Sequence, residues 1–344
     1  MKYTFLPNTS IKISKICLGT MTFGEQNTIH DAHNQLDIAV ENEINFIDTA
    51  EMYPIAAKEE TLGRTEQFIG AWFKKTNLRD KIVLATKIAG PNRGMEYIRK
   101  PMDYSKKNMT EALHKSLKNL QTDYIDLYQL HWPERKMNMF GQRGFSLVAD
   151  DFQDNFLEVL QIIDTFKKEG KIRCFGVSNE APYGILRFLE ESKQHNLPTV
   201  TTIQNPFSLL NRLYEVGLAE LCHYKNIGLM AYSPLGFGSL TGKHLNGKLP
   251  NTRVGMFPQF TRYISKNGIL ATKTYQKLAQ EFHLTLTELS LAFVYHNPFV
   301  MSTIIGATST LQLQENINAF KVVLEDEILA KINIIQEKYP NPAP

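Results

Sequence analysis

Cysteine is scarce in this chain: three in 344 residues, Cys17, Cys174 and Cys222, with no C-x-x-C. An odd, widely spaced set argues against a disulfide framework or a clustered metal site. Buried, reduced thiols are expected instead, which fits a cytoplasmic protein. Excess charge is also lacking. With 38 Lys and Arg against 35 Asp and Glu, the net charge is +3, without the basic surplus of a nucleic-acid-binding protein. No apolar run is long enough to cross a membrane, the most apolar late segment being interrupted by His296, Asn297 and Pro298. Residues 1–8 carry no apolar region of the secretory kind. Neither a membrane nor a nucleic acid is therefore expected as a partner. Two nucleotide-binding signatures are missing as well: no G-x-G-x-x-G follows an early strand, which weakens an open dinucleotide-binding sheet, and there is no P-loop.

What remains is an ordinary globular composition, 43% hydrophobic and 21% charged. No compositional shift marks a linker, and there is no repeat. Barrels of alternating strands and helices commonly reach this length as one unit, so residues 1–344 are expected to form a single domain. The chain supports this by alternation. After a hairpin around Pro7, Asn8 and Thr9, strands are predicted at 16–19, 45–48, 82–87, 124–130, 172–177, 200–204, 228–232 and 301–305. Between them, apolar residues recur at helical spacing over 33–43, 65–75, 105–119, 156–169, 181–194 and 217–225. Further helices are predicted at 269–282, 287–296, 310–320 and 325–338. Ser105 reads as an N-cap and Gly170 as a helix stop. Eight strands, most followed by a helix, predict an α/β fold, a (β/α)8 TIM barrel with an N-terminal β-hairpin. Two connections are long. One, Pro133 to Asp154 after strand four, reads as a lid or specificity loop; the other, after strand seven, spans 236–267.

Four side chains capable of acid–base work fall at or just beyond strand ends, where such barrels carry their sites. Asp48 closes the second strand and Tyr53 follows it, Lys87 closes the third, and His131 follows the fourth. Singly, each has an ordinary explanation: a packed tyrosine, a helix-capping aspartate, a solvated lysine, a structural histidine. Together they suit proton transfer to a carbonyl oxygen. A free phenol has a pKa of about 10, and a neighbouring ammonium lowers it. Lys87 is therefore expected to activate Tyr53, with Asp48 holding Lys87 and His131 orienting the carbonyl.

Those residues carry a resemblance. Gly19-Thr20-Met21-Thr22-Phe23-Gly24, Phe46-Ile47-Asp48-Thr49-Ala50 with Tyr53, Thr86-Lys87 and Leu130-His131-Trp132 resemble the motifs of the aldo-keto reductases. The likeness runs across nearly the whole length. The wording Glu51-Met52-Tyr53-Pro54 and His131-Trp132-Pro133 is most similar to a bacterial, Tas-like branch. The resemblance implies a reductase of aldehydes or ketones in which Tyr53 is the proton donor, with Asp48, Lys87 and His131 completing the catalytic set. It implies an NADP(H) cofactor and a small-molecule carbonyl substrate. It also places cofactor contacts at Thr20, Met21, Asp48, Ser178, Asn179, Gln204 and the run Tyr232-Ser233-Pro234-Leu235-Gly236. Toward the adenosine end it implies Gly306, Thr308, Gln312, Glu315 and Asn316. Ser178, Asn179 and Gln204 would bond the carboxamide, and Tyr232 would stack on the nicotinamide. Lys243 and Arg253, in the long loop after strand seven, would meet a 2′-phosphate, because Ala307 and Gln312 are uncharged where many members carry a basic residue. Met21 stands where an aromatic often lines the substrate pocket, giving a more pliable wall.

Two other readings stay open at the level of sequence. Channel β-subunits share the implied architecture, so an NADPH-binding regulatory subunit with little turnover is an alternative. A Schiff-base lyase using Lys87 is another, opposed by Asp48, which would keep that lysine protonated. Neither the substrate nor the oligomeric state is written in the sequence.

Overall fold

The computed structural model describes every residue except 92, 143 and 148–151. The chain begins with an antiparallel hairpin, β1 (Tyr3–Phe5) and β2 (Lys12–Ser14), turning through Asn8 in the left-handed conformation. Eight strands follow: β3 (Ile16–Gly19), β4 (Phe46–Asp48), β5 (Val83–Ile88), β6 (Ile125–Leu130), β7 (Ile172–Ser178), β8 (Thr202–Pro206), β9 (Gly228–Tyr232) and β10 (Val300–Ile305). All pair in parallel, and β10 closes the ring onto β3, so the predicted barrel is what forms. The helices are α1 (Ile29–Glu41), α2 (Arg64–Thr76), α3 (Lys106–Leu120), α4 (Phe156–Lys168), α5 (Pro182–His195), α6 (Leu218–Tyr224), α7 (Arg253–Met256), α8 (Lys266–Glu281), α9 (Leu286–Tyr295), α10 (Thr310–Asn318) and α11 (Asp326–Lys338).

Strand pleating sorts the core in two, because alternate side chains point to opposite faces. Ile16, Leu18, Ile47, Leu84, Phe175 and Leu229 join the layer beneath the helices. Their neighbours Cys17, Phe46, Ala85, Leu127, Cys174 and Met230 fill the barrel. Leu6, Ile11 and Ile13 of the hairpin belong to that inner cluster, so the hairpin plugs the N-terminal mouth. The other mouth is left for the site. All three cysteines are free and buried. Among the described residues no helix is long and apolar enough to cross a membrane.

Two helices start earlier than predicted because their first turns are capped. α1 starts at Ile29 rather than residue 33, because Thr28 and Asp31 form a reciprocal capping box. α8 starts at Lys266 because Ser265 accepts from the Gly268 amide. The loop after β9 contains the short helix α7 and 3-10 turns at Gly236–Thr241 and Arg262–Ile264. The predicted insert at 133–154 carries neither helix nor strand among its described residues; residues 143 and 148–151 of it lie outside the described residues. A third long connection, 89–105 after β5, went unmarked in the sequence, and it bears on the site.

Candidate active site

The inward parity that fills the barrel with Phe46, Ala85 and Leu127 continues two residues on to Asp48, Lys87 and Gln129. Strand register sets these side by side: Gly19 pairs with Asp48, Lys87 with Gln129, and Ser178 with Gln204. The Lys87 ammonium is fully buried. Its Nζ donates to Asp48 Oδ2 at 2.6 Å and to the Thr49 carbonyl at 2.7 Å. Asp48 Oδ1 accepts from Gln204 Nε2 at 2.9 Å and Gln129 Nε2 at 3.2 Å. A buried ion pair persists only when its remaining lone pairs are satisfied, and the two glutamines do that here. Burial pulls the Lys87 pKa down, but Asp48 and then Tyr53 more than offset it, leaving it above the ordinary 10.5. Lys87 is a fixed cation rather than a free amine, which removes the basis for a Schiff-base nucleophile.

Tyr53 stands at the rim of this network, with Lys87 Nζ 5.1 Å from its ring centroid. Its pKa lies above the ordinary 10.0, because burial raises it more than Lys87 lowers it. That corrects the expectation of a net depression: Lys87 acts in the expected direction, but a desolvated phenolate costs more than one cation returns. The His131 ring lies edge-on to Tyr53, centroids 5.8 Å apart. Burial, then Lys87 and Arg93, hold His131 well below 6.5, so it is a neutral imidazole. Its Nδ1 has no hydrogen-bond partner among the described residues. Tyr53 thus faces the cavity as a protonated donor, beside a neutral ring that can orient an oxygen.

Two loops are tied together beneath the pair. Glu51 Oε1 accepts from the Ala89 amide at 2.6 Å and from Arg99 Nη1 at 2.9 Å, and Arg99 Nη2 reaches Oε2. Glu51 N in turn donates to the Lys87 carbonyl at 3.1 Å. Gly90 allows the close approach that follows: a Cβ there would sit 2.6 Å from the Trp132 carbonyl oxygen. The connections after β4, β5 and β6 are therefore held against one another around Tyr53 and His131.

Asp48, Tyr53, His131 and Trp132 border one cavity of about 1560 Å³, larger than the ~300–1,000 Å³ of a usual single-ligand pocket. Of the residues expected to hold a cofactor, Thr20, Met21, Asp48, Ser178, Asn179, Gln204, Tyr232, Ser233, Pro234, Leu235, Lys243, Arg253, Gly306, Thr308, Gln312, Glu315 and Asn316 all line it. Gly236 sits between Leu235 and Phe237 of that wall and turns the chain at φ +52 against the Tyr263 ring. Lys87 lies behind the wall, reaching the cavity through Asp48 and Tyr53. Across the middle, Tyr232 OH donates to Asn179 Oδ1 at 2.6 Å, Asn179 Nδ2 donates to the His131 carbonyl at 2.9 Å, and Ser178 Oγ donates to the Gln204 carbonyl at 2.8 Å. This polar seam borders the same space as Tyr53.

At the far end, α10 begins at the cavity wall, capped by Ser309, with Thr308 N donating to Gln312 Oε1 at 3.0 Å. Nearby, Lys243 lies across Gly238, where φ is +87 and a Cβ would come within 2.5 Å of Lys243 Cε. Arg253 Nε is buried with no partner among the described residues, and burial draws its pKa down to about 10. Neither cation is in an ion pair among the described residues. Two partly or fully desolvated cations without an ion pair among the described residues, on the wall of the same cavity as Thr308 and Gln312, suit phosphate oxygens, so the donor set fits a dinucleotide.

Sequence reasoning missed Gln129, Arg93, Phe140 and Arg262. Gln129 carried a signal: a polar residue at inward parity in the apolar run 125–130. The other three lie in the connections after β5, β6 and β9, where no periodicity marks them.

A family model described as the aldo/keto reductase family matches residues 15–337. Protein tas of Escherichia coli (strain K12) is 46% identical over 346 residues, covering 100% of both chains, which bears out the Tas-like resemblance. The oxidoreductase YrpG of Bacillus subtilis (strain 168) is 32% identical over 347 residues, covering 99% of this chain and 97% of its own length. Norsolorinic acid reductase B of Dothistroma septosporum is 26% identical over 346 residues, covering 97% and 80%.

Proposed function

The chain belongs to the aldo/keto reductase family, and from that premise we propose that it reduces aldehydes or ketones to alcohols with NADPH, reversibly, using Tyr53 as the proton donor. The observation that carries this reading is the protonated Tyr53 phenol standing over a buried Lys87–Asp48 pair, with neutral His131 across from it. When bound, the cofactor supplies the hydride to the carbonyl carbon. The protein's own residues do the rest. His131 orients the carbonyl oxygen by hydrogen bonding, and Tyr53 delivers its proton as charge develops there. The fixed Lys87 cation stabilises the phenolate left behind, while Asp48, Gln129 and Gln204 hold Lys87 in place. Ser178, Asn179 and Gln204 would bind the carboxamide, and Tyr232 would cover one face of the nicotinamide. Lys243 and Arg253 favour NADPH over NADH, as the cations available to a 2′-phosphate. Relatives named as an oxidoreductase and a reductase favour an enzyme over a non-catalytic binding subunit.

The direct test is Tyr53→Phe. Carbonyl reduction should fall by about 10²–10⁴-fold, while NADPH still quenches intrinsic fluorescence with near wild-type affinity. Retained turnover removes Tyr53 from the donor role.

A further inference from the structure

Two guanidinium groups in the cavity have no task in the chemistry above. Arg93, on the connection after β5, and Arg262, on the connection after β9, both line the cavity together with Tyr53, His131 and Tyr232. They flank one aromatic ring: Arg93 Cζ lies 4.3 Å and Arg262 Cζ 5.7 Å from the Phe140 centroid. Neither forms an ion pair among the described residues.

Arg93 and Lys243 have different neighbours, whereas Arg262 shares the Phe237 ring with Arg253, the two Cζ atoms lying 6.0 and 5.0 Å from its centroid, and Arg253 also acts on Tyr53. Lys243 is influenced, after burial, by Arg253 and Glu315, the latter on α10. Arg93 is influenced, after burial, by Arg262 and Tyr232, and Arg93 in turn depresses His131. Arg93 and Arg262 thus stand toward the reacting end.

Both are also held. Trp132 Nε1 donates to the Pro91 carbonyl at 2.8 Å, fixing the start of the Arg93 connection beside His131, and Arg93 Cζ lies 5.9 Å over the Trp132 ring. Arg262 Cζ sits 5.6 Å from the Tyr263 ring and 6.0 Å from Phe237. Burial and then repulsion from Arg262 lower the Arg93 pKa, whereas at Arg262 burial is outweighed by Tyr263 and Tyr232, which keep the guanidinium charged, with its pKa raised. An oxyanion relieves that repulsion and accepts the paired N–H donors that guanidinium presents.

We propose that the carbonyl substrate is itself an anion, an aldehyde or ketone bearing an acidic oxyanion group that Arg93 and Arg262 bind on either side of Phe140 while the carbonyl meets Tyr53 and His131. This rests on the reductase reading and adds the substrate class to it. The reacting bond is unchanged; the acidic group sets orientation and affinity. A carboxylate and a phosphate monoester offer the same chemistry to two guanidiniums, and matched substrates tell them apart.

The experiment compares 4-carboxybenzaldehyde with its methyl ester, and glyceraldehyde 3-phosphate with glyceraldehyde, using NADPH and the full-length protein. The acidic member of at least one pair should have a kcat/KM about ten- to a hundredfold higher, carried by KM, as expected for a charge-assisted bidentate contact. The pair that shows it identifies the group. Arg93→Gln and Arg262→Gln should each bring the acid-to-neutral ratio toward one. Independently of turnover, calorimetry on the NADP-loaded protein should detect benzoate but not benzamide, with benzoate affinity falling tenfold or more in either variant and with rising salt. Neutral members preferred in both pairs, or an acid preference untouched by both substitutions, overturns the proposal while leaving the reductase intact. If no carbonyl is reduced although NADPH binds, the reductase reading fails instead, and arginine-dependent benzoate binding then still decides the anion site.

Discussion

At the residue scale, the candidate site separates charge states that would be mixed in water. Lys87 is kept charged by Asp48, whereas Tyr53 and His131 are kept neutral by burial. For the proposed reduction with Tyr53 as donor, the pH dependence has a definite sign. On that mechanism Tyr53 must be protonated, and its pKa is raised, so activity is retained below that value and lost as pH rises through it, above 10.0. His131 must be neutral, and its pKa lies well below 6.5, so its acid limb lies well below neutrality. The expected kcat/KM profile is flat between about pH 6.5 and about pH 9. A titration near neutrality would show that a different group controls the proton. Asp48, Tyr53, Lys87 and His131 were legible in the sequence because each closes or follows an apolar run whose length and parity fix where it ends. The sign of the Tyr53 shift was not legible, because it depends on how much water the folded loops exclude.

At the element scale, another buried acid ties the scaffold together away from the chemistry. Glu66 on α2 accepts from Thr86 Oγ1 of β5 at 2.8 Å and from Asn119 Nδ2 of α3 at 3.2 Å. Burial raises its pKa from 4.5 to about 7. The folded state therefore holds a proton there that the unfolded chain releases between those values, and stability falls as pH rises from 4.5 toward 7. At one pK unit per ~1.4 kcal/mol, ionisation of Glu66 costs about 3 kcal/mol at pH 8. Glu66→Gln should raise the thermal midpoint at pH 8 by several degrees, with the gain vanishing near pH 4.5. A midpoint difference independent of pH would mean that Glu66 is not the titrating group. Helices and strands were readable from apolar spacing, and the early start of α1 was there to read in Thr28 and Asp31. The connection 89–105 was not, because its anchors, Glu51–Arg99 and Trp132–Pro91, join residues remote in sequence.

At the scale of the whole molecule, the cavity lies at one mouth of a barrel whose other mouth is plugged by the hairpin. Its wall draws on connections after β3, β4, β5, β6, β7, β9 and β10, so a ligand filling it links segments from one end of the chain to the other. NADPH at about a hundredfold above its dissociation constant should stabilise the fold by ~2.7 kcal/mol. That is read as a thermal shift larger than NADH gives at the same concentration; equal shifts would sink the preference attributed to Lys243 and Arg253. The sequence by itself determined the barrel, since eight apolar runs separated by helical stripes leave little else for the chain to close into. It also placed the acid–base residues at strand ends, because pleat parity is a local property. Only the tertiary structure decided that Gln129 and Gln204 complete Asp48, that burial outweighs Lys87 at Tyr53, and that Arg93 and Arg262 meet across Phe140. Those outcomes depend on solvent exclusion and on contacts between irregular loops, and neither leaves a period in the sequence.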